Sequence, residues 1–189
     1  ADEARGILEL RRDVRELEAG GGGGEHRVGL GPRFHPGEEL ALGLQVLVEG
    51  GEEAVRRTLR YFTGDRSCLE PSLDRHPAVA FNLMTLAMLC GTPLMPGLAG
   101  HVVMVEEVSE HLYAIDRLLF HATAHLGGIA GLRLGRVSEV PENDRPFGAT
   151  PEEIARLWCE RHGIPFLGDA DIGHEAANKI VPFGLAGRL

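Results

Sequence analysis

Apolar side chains recur at every third or fourth position through residues 2–18, where Ile7, Leu10, Val14 and Leu17 stand among charged neighbours. This spacing predicts an amphipathic helix. Five consecutive glycines, Gly20 to Gly24, follow it. Such a run would lose too much backbone entropy to join an element and predicts a linker. Residues 1–24 are therefore expected as a helix plus glycine linker, loosely attached to a body spanning residues 25–189.

The helical period returns in EEAVRRTLRYF, where Val55, Leu59 and Phe62 share a face. HPAVAFNLMTLAMLCGTPLMPGL is an apolar stretch of helical length, stopped by Gly91 and then by Pro93 and Pro96. HVVMVEEV, residues 101–108, is dense in β-branched residues and predicts a buried strand with acids at its end. Ser109 is placed to cap the next helix, whose inner stripe is Leu112, Ile115, Leu119 and Ala122.

GGIAGLRLGRV, residues 127–137, predicts a second strand. Thr150, Pro151 and Glu153 then spell a capping box with proline at the first helical position. Ile154, Leu157 and Trp158 are expected to face inward in that helix, and Gly163 to stop it. IPFLGDADIG predicts a third strand, with His174 at its far end. Strands alternating with helices predict an α/β fold. No internal repeat interrupts the pattern.

Composition narrows the function classes. The chain has 189 residues, of which 43% are hydrophobic, enough for a real core and typical of a soluble globular protein. Its 19 basic residues against 28 acidic ones give a net charge of −9, which argues against a nucleic-acid partner, because phosphate contacts need a concentrated basic face. No apolar window approaches the roughly 18–20 residues of a membrane span, and ADEARGILEL lacks the form of a secretory signal. Cys68, Cys90 and Cys159 are odd in number and form no CxxC, so reduced thiols in a cytoplasmic setting are expected.

Two strand ends carry ionisable groups: Glu106 and Glu107 on the first, His174 on the last. In α/β folds a rigid sheet aims such groups into the crevice beyond its strand ends. A carboxylate bonded to an imidazole would set the tautomer and stabilise the cation, as the orienting acid does in a serine–histidine–acid triad. The plain alternative is a solvated Glu107, an arginine-paired Glu106 and a surface His174. A second constellation is HATAH, in which His121 and His125 lie four apart on one helical face, with His111 near the helix start. This is metal-ligand spacing, but without the glutamate of an HExxH helix. The glycine-containing GLGPRF and GGIAGLRLG do not fit GxGxxG, so a nucleotide site gains no support.

Taken in order, FNLMTLAMLCGTPLMPGLAGHVVMVEEVSEHLYAIDRLLFH, GIAGLRLGRV and GIPFLGDADIGHEAANKIVPFG resemble the C-terminal part of the serine LD-carboxypeptidase family, the muramoyl-tetrapeptide carboxypeptidases and microcin-immunity peptidases. The resemblance runs from about Gly50 to Gly184 and does not extend to residues 1–49. It implies a two-domain enzyme of peptidoglycan recycling, cytoplasmic and homodimeric, that needs neither metal nor cofactor. An N-terminal domain would carry the nucleophilic serine in a Gly-Tyr-Gly-Ser-like turn. The C-terminal domain would supply a glutamate matching Glu106 and a histidine matching His174. Asn82, in the NL motif, would fall near the substrate. The substrate implied is a murein tetrapeptide that loses its terminal D-alanine, with no membrane or nucleic-acid partner.

Ser67, Ser72, Ser109 and Ser138 are the chain's four serines, and none lies in a nucleophile-elbow context. The serine that His174 would activate is thus expected outside this sequence, leaving the chain a poor catalyst or none. Two other readings stay open: a non-catalytic peptide-binding or regulatory module, and a metal-dependent hydrolase using His121, His125 and an acid.

Overall fold

The structure is a computed structural model that describes residues 52–72 and 76–183. The helix expected at residues 2–18 and the linker after it lie outside the described residues. Within them the protein is α/β. A helix at residues 52–62 (α1) and a single 3-10 turn, Arg66–Cys68, precede the sheet. There follow β1 (Ala78–Asn82), α2 (Leu83–Leu89), β2 (Val102–Val108), α3 (Leu112–His125), β3 (Gly131–Ser138), α4 (Pro151–Arg161) and β4 (Phe166–Asp169). The strands pair in sequence order, β1-β2-β3-β4, and every pairing is parallel.

Period-two geometry divides the central strand. In β2, Val103 and Val105 join the main core, where they meet Leu86 of α2, Ile115, Leu119 and Ala122 of α3, and Ile154, Ala155 and Cys159 of α4. Val102 and Met104 point the other way, into a smaller cluster with Ala78, Ala170 and Ile172. Six successive residues of β2, Val102 to Glu107, are buried, as expected of a parallel strand covered on both faces.

Several local expectations change. The apolar stretch after His76 is not one helix: it splits at Asn82 into β1 and α2 with no intervening loop. Asn82 has extended backbone, and its side chain accepts from the Thr85 amide, so it is both the last strand residue and the helix N-cap. Ser109 does not cap α3. Its amide donates to Ser138, its φ is +59°, and its hydroxyl donates to Glu139, so the helix begins only after His111.

The capping box at Thr150 and Glu153 forms as expected, with Pro151 at the first turn. Leu157, however, faces solvent, and the inner side of α4 is Ile154, Ala155 and Cys159. Trp158 is half-buried and ties α4 to α3 by donating to Asp116 at 2.7 Å. The third expected strand ends at Asp169, so His174 sits on a loop beyond it. All three cysteines are buried free thiols. Among the described residues no helix is long and apolar enough to cross a membrane.

Candidate active site

The pleat of β2 sends its two acids to opposite faces. Glu107 turns toward the helices and is almost completely buried. Its carboxylate accepts from Asn82 Nδ2 at 2.7 Å, from the Met84 amide at 2.9 Å and from the Val108 amide at 3.0 Å. Glu107 thereby locks the strand-to-helix corner of β1 and α2. Both ends of the Asn82 amide group are engaged there, one on Glu107 and the other on Thr85.

Glu106 turns to the other face and is 8% exposed. Opposite it β3 carries one residue too many: Val105 pairs with Leu134 and Glu107 with Val137, which leaves Gly135 and Arg136 abreast of Glu106. Such a bulge re-aims side chains locally. Gly135 suits the place for a steric reason. A β-carbon there would stand 2.5 Å from Ile172 Cγ1, 2.8 Å from the Ile172 carbonyl oxygen and 3.0 Å from Glu106 Cβ. The missing side chain lets the loop after β4 lie directly against Glu106. A second irregularity sits in β4, where Leu132 pairs with Phe166 but Leu134 with Asp169, and Gly168 between them takes φ +83°.

That loop brings His174 to Glu106. His174 Nδ1 donates to Glu106 Oε2 at 2.7 Å, a contact between residues 68 apart in sequence. A carboxylate can only accept, so the neutral ring carries its proton on Nδ1 and presents Nε2 as a base. The ring is about half exposed, whereas Glu106 is enclosed. The loop itself is held by polar contacts. Asp171 donates its amide to Glu70 Oε1 at 3.1 Å, Gly173 its amide to Asn178 Oδ1 at 3.0 Å, and Lys179 its amide to the Asp171 carbonyl at 3.2 Å. Arg136, from the bulge, donates to Asp171 at 2.6 Å and also to Glu175. Ile180 closes the loop in a parallel bridge with Leu69.

The hydrogen bond to Glu106 holds His174 above its usual titration range. Partial burial opposes that shift, and the charges of Glu106, Glu107 and Glu175 reinforce it. The imidazolium is thus favoured in the folded state. The stability this contributes is fully present below the unfolded histidine value of 6.5 and is lost as pH rises through the higher folded value. A proton-accepting role runs the opposite way, because it requires the neutral ring and strengthens above the folded value. We expect the His174 ring resonances to titrate above 6.5, and Glu106→Gln to bring the midpoint down. An unchanged midpoint in that variant would show that Glu106 does not set the shift.

The other sequence candidates fall elsewhere. Among the described residues the His174 ring is bonded to Glu106 and to no serine. Ser72 donates its hydroxyl to Glu70 and Ser109 to Glu139, Ser67 lies in the 3-10 turn, and Ser138 ends β3. His111 stacks on Tyr113 at the start of α3. His121 and His125 do share a face of α3, with ring centroids 4.6 Å apart, but the third donor beside them is Cys90 rather than an acid.

The domain that holds this pair has relatives among known proteins. A family model described as the LD-carboxypeptidase C-terminal domain matches residues 77–189. The chain belongs to the LD-carboxypeptidase family. A Synechocystis sp. protein assigned as a carboxypeptidase is 32% identical over 125 residues, covering 64% of this chain and 40% of that protein. A second such protein, from Streptomyces coelicolor, is 30% identical over 135 residues, covering 70% and 42% respectively. The chain therefore spans less than half the length of these two relatives. The crystal structure of muramoyltetrapeptide carboxypeptidase from Oxalobacter formigenes superposes with a TM-score of 0.57 at 24% identity, covering 70% of this chain and 49% of that one. That likeness shows the same fold.

Sequence reasoning pairs Glu106 with His174 but misses what supports them. Glu107 as a helix anchor is legible in principle, since strand alternation must send adjacent acids to opposite faces. Glu70 and Arg136, which hold the loop, carry no local signal, because their partners lie 101 and 35 residues away.

Proposed function

We propose that this chain supplies the acid and base of an LD-carboxypeptidase-like serine peptidase that releases the terminal D-alanine of peptidoglycan tetrapeptides. The observation that carries the reading is the 2.7 Å hydrogen bond between His174 and Glu106, both of which lie within the residues matched by the LD-carboxypeptidase C-terminal domain. In this reading His174 Nε2 takes the proton of a serine hydroxyl as that oxygen attacks the scissile carbonyl. The imidazolium so formed is stabilised by Glu106, and the proton then passes to the departing D-alanine nitrogen. The attacking serine comes from a nucleophile domain of the kind the family implies, outside the 189 residues of this chain. Asn82 acts through the corner it shares with Glu107.

A triad without its serine keeps only binding and electrostatic contributions, so the expected activity of this chain alone is close to nil. The test is to incubate the purified chain with a tetrapeptide ending in L-lysyl- or diaminopimelyl-D-alanine and to follow both D-alanine release and the His174 ring resonances. The expected result is negligible release together with a His174 signal that shifts on adding peptide. Release that survives His174→Ala would overturn the assignment of the base. A His174 signal unmoved at saturating peptide would overturn the substrate.

A further inference from the structure

Cys90, His121 and His125 meet at the end of the domain away from the candidate active site. Cys90 caps the C-terminus of α2, and the two histidines occupy the last turns of α3. The short turn after α3 leads straight to the start of β3, so this cluster lies at the edge where strands begin. Glu106 and His174 lie toward the edge where they finish. One ligand atom from each of the three side chains lies within 4.8 Å of the other two.

We propose that Cys90, His121 and His125 form a binding site for a zinc-class divalent cation that braces the C-terminal ends of α2 and α3. One thiolate and two imidazoles are the donor set that favours a borderline-soft, tetrahedral ion over calcium or magnesium, which take oxygen ligands. Donor atoms around such an ion stand about 3.5 Å apart, given its bond lengths of roughly 2.0–2.3 Å. Turning the exposed His121 side chain would close the present spacing to that value, with the buried cysteine as the fixed point.

Two further features are already arranged for a ligand. His125 Nδ1 lies 2.9 Å from the His121 carbonyl oxygen, which can only accept. The proton is therefore on Nδ1, and Nε2 presents its lone pair, the arrangement in which metal-bound histidines are usually held from behind. Position 91 is a glycine at φ +76°, and a β-carbon there would lie 3.8 Å from His125 Nε2.

On binding, the Cys90 thiol gives up its proton to solvent and its sulfur becomes a ligand, while both imidazoles bind in their neutral form. The fourth position is left to water. The site is separate from the peptidase reading, and its test needs no catalytic activity.

The test is to titrate the purified chain under reducing conditions with cobalt(II), a coloured stand-in for zinc. The expected result is one equivalent bound, with visible bands of tetrahedral intensity and a thiolate-to-cobalt charge-transfer band in the near ultraviolet, all removed by adding zinc. Cys90→Ser should abolish the charge-transfer band, whereas Cys68→Ser should leave it unchanged. His121→Gln and His125→Gln, both on the surface, should each weaken binding at least tenfold while leaving the circular dichroism spectrum as it was. Zinc should also raise the melting temperature of the original chain and not that of Cys90→Ser. A natively folded chain that gives no charge-transfer band would overturn the site. So would a band that persists in Cys90→Ser, or an affinity indifferent to both histidine changes.

Discussion

Replacing Glu107 with alanine is expected to lower the unfolding free energy by about 3–5 kcal/mol, one of the largest losses available to a single polar substitution in this fold. The carboxylate is almost fully buried and accepts from the Asn82 side chain, the Met84 amide and the Val108 amide. Removing it leaves those donors facing an apolar space, and each stranded buried group costs on the order of 1–3 kcal/mol, though not additively. Against a total stability of ~5–15 kcal/mol for a domain, the loss would be plain in a urea titration. Glutamine should recover part of it, since its one oxygen can serve only some of the donors while its amide group meets another. A midpoint for Glu107→Ala equal to that of the unmodified chain would show that the strand-to-helix corner does not depend on this acid.

The second large effect is expected at Gly135, where a methyl group should damage the site and the fold together. The added carbon would press on the Ile172 carbonyl and side chain on one side and on Glu106 on the other. Overpacking of this kind costs roughly 1–3 kcal/mol, and backbone atoms yield less readily than a side-chain tip. The site should answer more sharply than the stability. If the loop moves away from Glu106, the His174 hydrogen bond lengthens and the ring's titration midpoint falls back toward 6.5. Valine should exaggerate both changes. A Gly135→Ala protein that keeps its melting temperature and its His174 midpoint would mean that the bulge absorbs the methyl group.

The two residues argue in different ways for what the sequence could reveal. The fold class was legible because β2 is dense in β-branched residues, because the helix after it buries Ile115, Leu119 and Ala122 at helical spacing, and because Thr150, Pro151 and Glu153 announce α4 without reference to anything distant. β1 was not, because Ala78 to Asn82 runs into α2 with no turn residue between them, and an unbroken apolar stretch carries no sign of where its period changes. The misplaced Ser109 cap has a comparable cause. A serine before a helix is a good cap by local rules, but a partner strand and Glu139 take its amide and hydroxyl.

The Glu106–His174 pair was legible in its two chemical groups, since an acid at a strand end and a histidine between a glycine and an irregular loop are local features. Its support was not. The bulge at Gly135 and Arg136 exists only in the pairing of two strands, and the bonds from Glu70 and Arg136 to Asp171 join distant parts of the chain.

The loop that carries His174 is built differently from the sheet it rests on. From Gly173 to Lys179 its ties are the Gly173, Asn178 and Lys179 amide bonds, the arginine contact to Glu175, the His174 bond to Glu106 and the Lys179 ammonium on the Ser67 carbonyl, and no residue of that stretch joins either hydrophobic cluster. The strands beneath are set in a continuous core. Segments held chiefly by exposed hydrogen bonds open at lower free energy than the body to which they belong. His174 can consequently leave Glu106 while the four strands stay paired, so that loss of this contact and loss of the fold become separable events. Amide exchange around residues 173–179 would run ahead of exchange in β2 and β3, and the chain would pass through a state that is folded by every global criterion and yet lacks the Glu106–His174 bond.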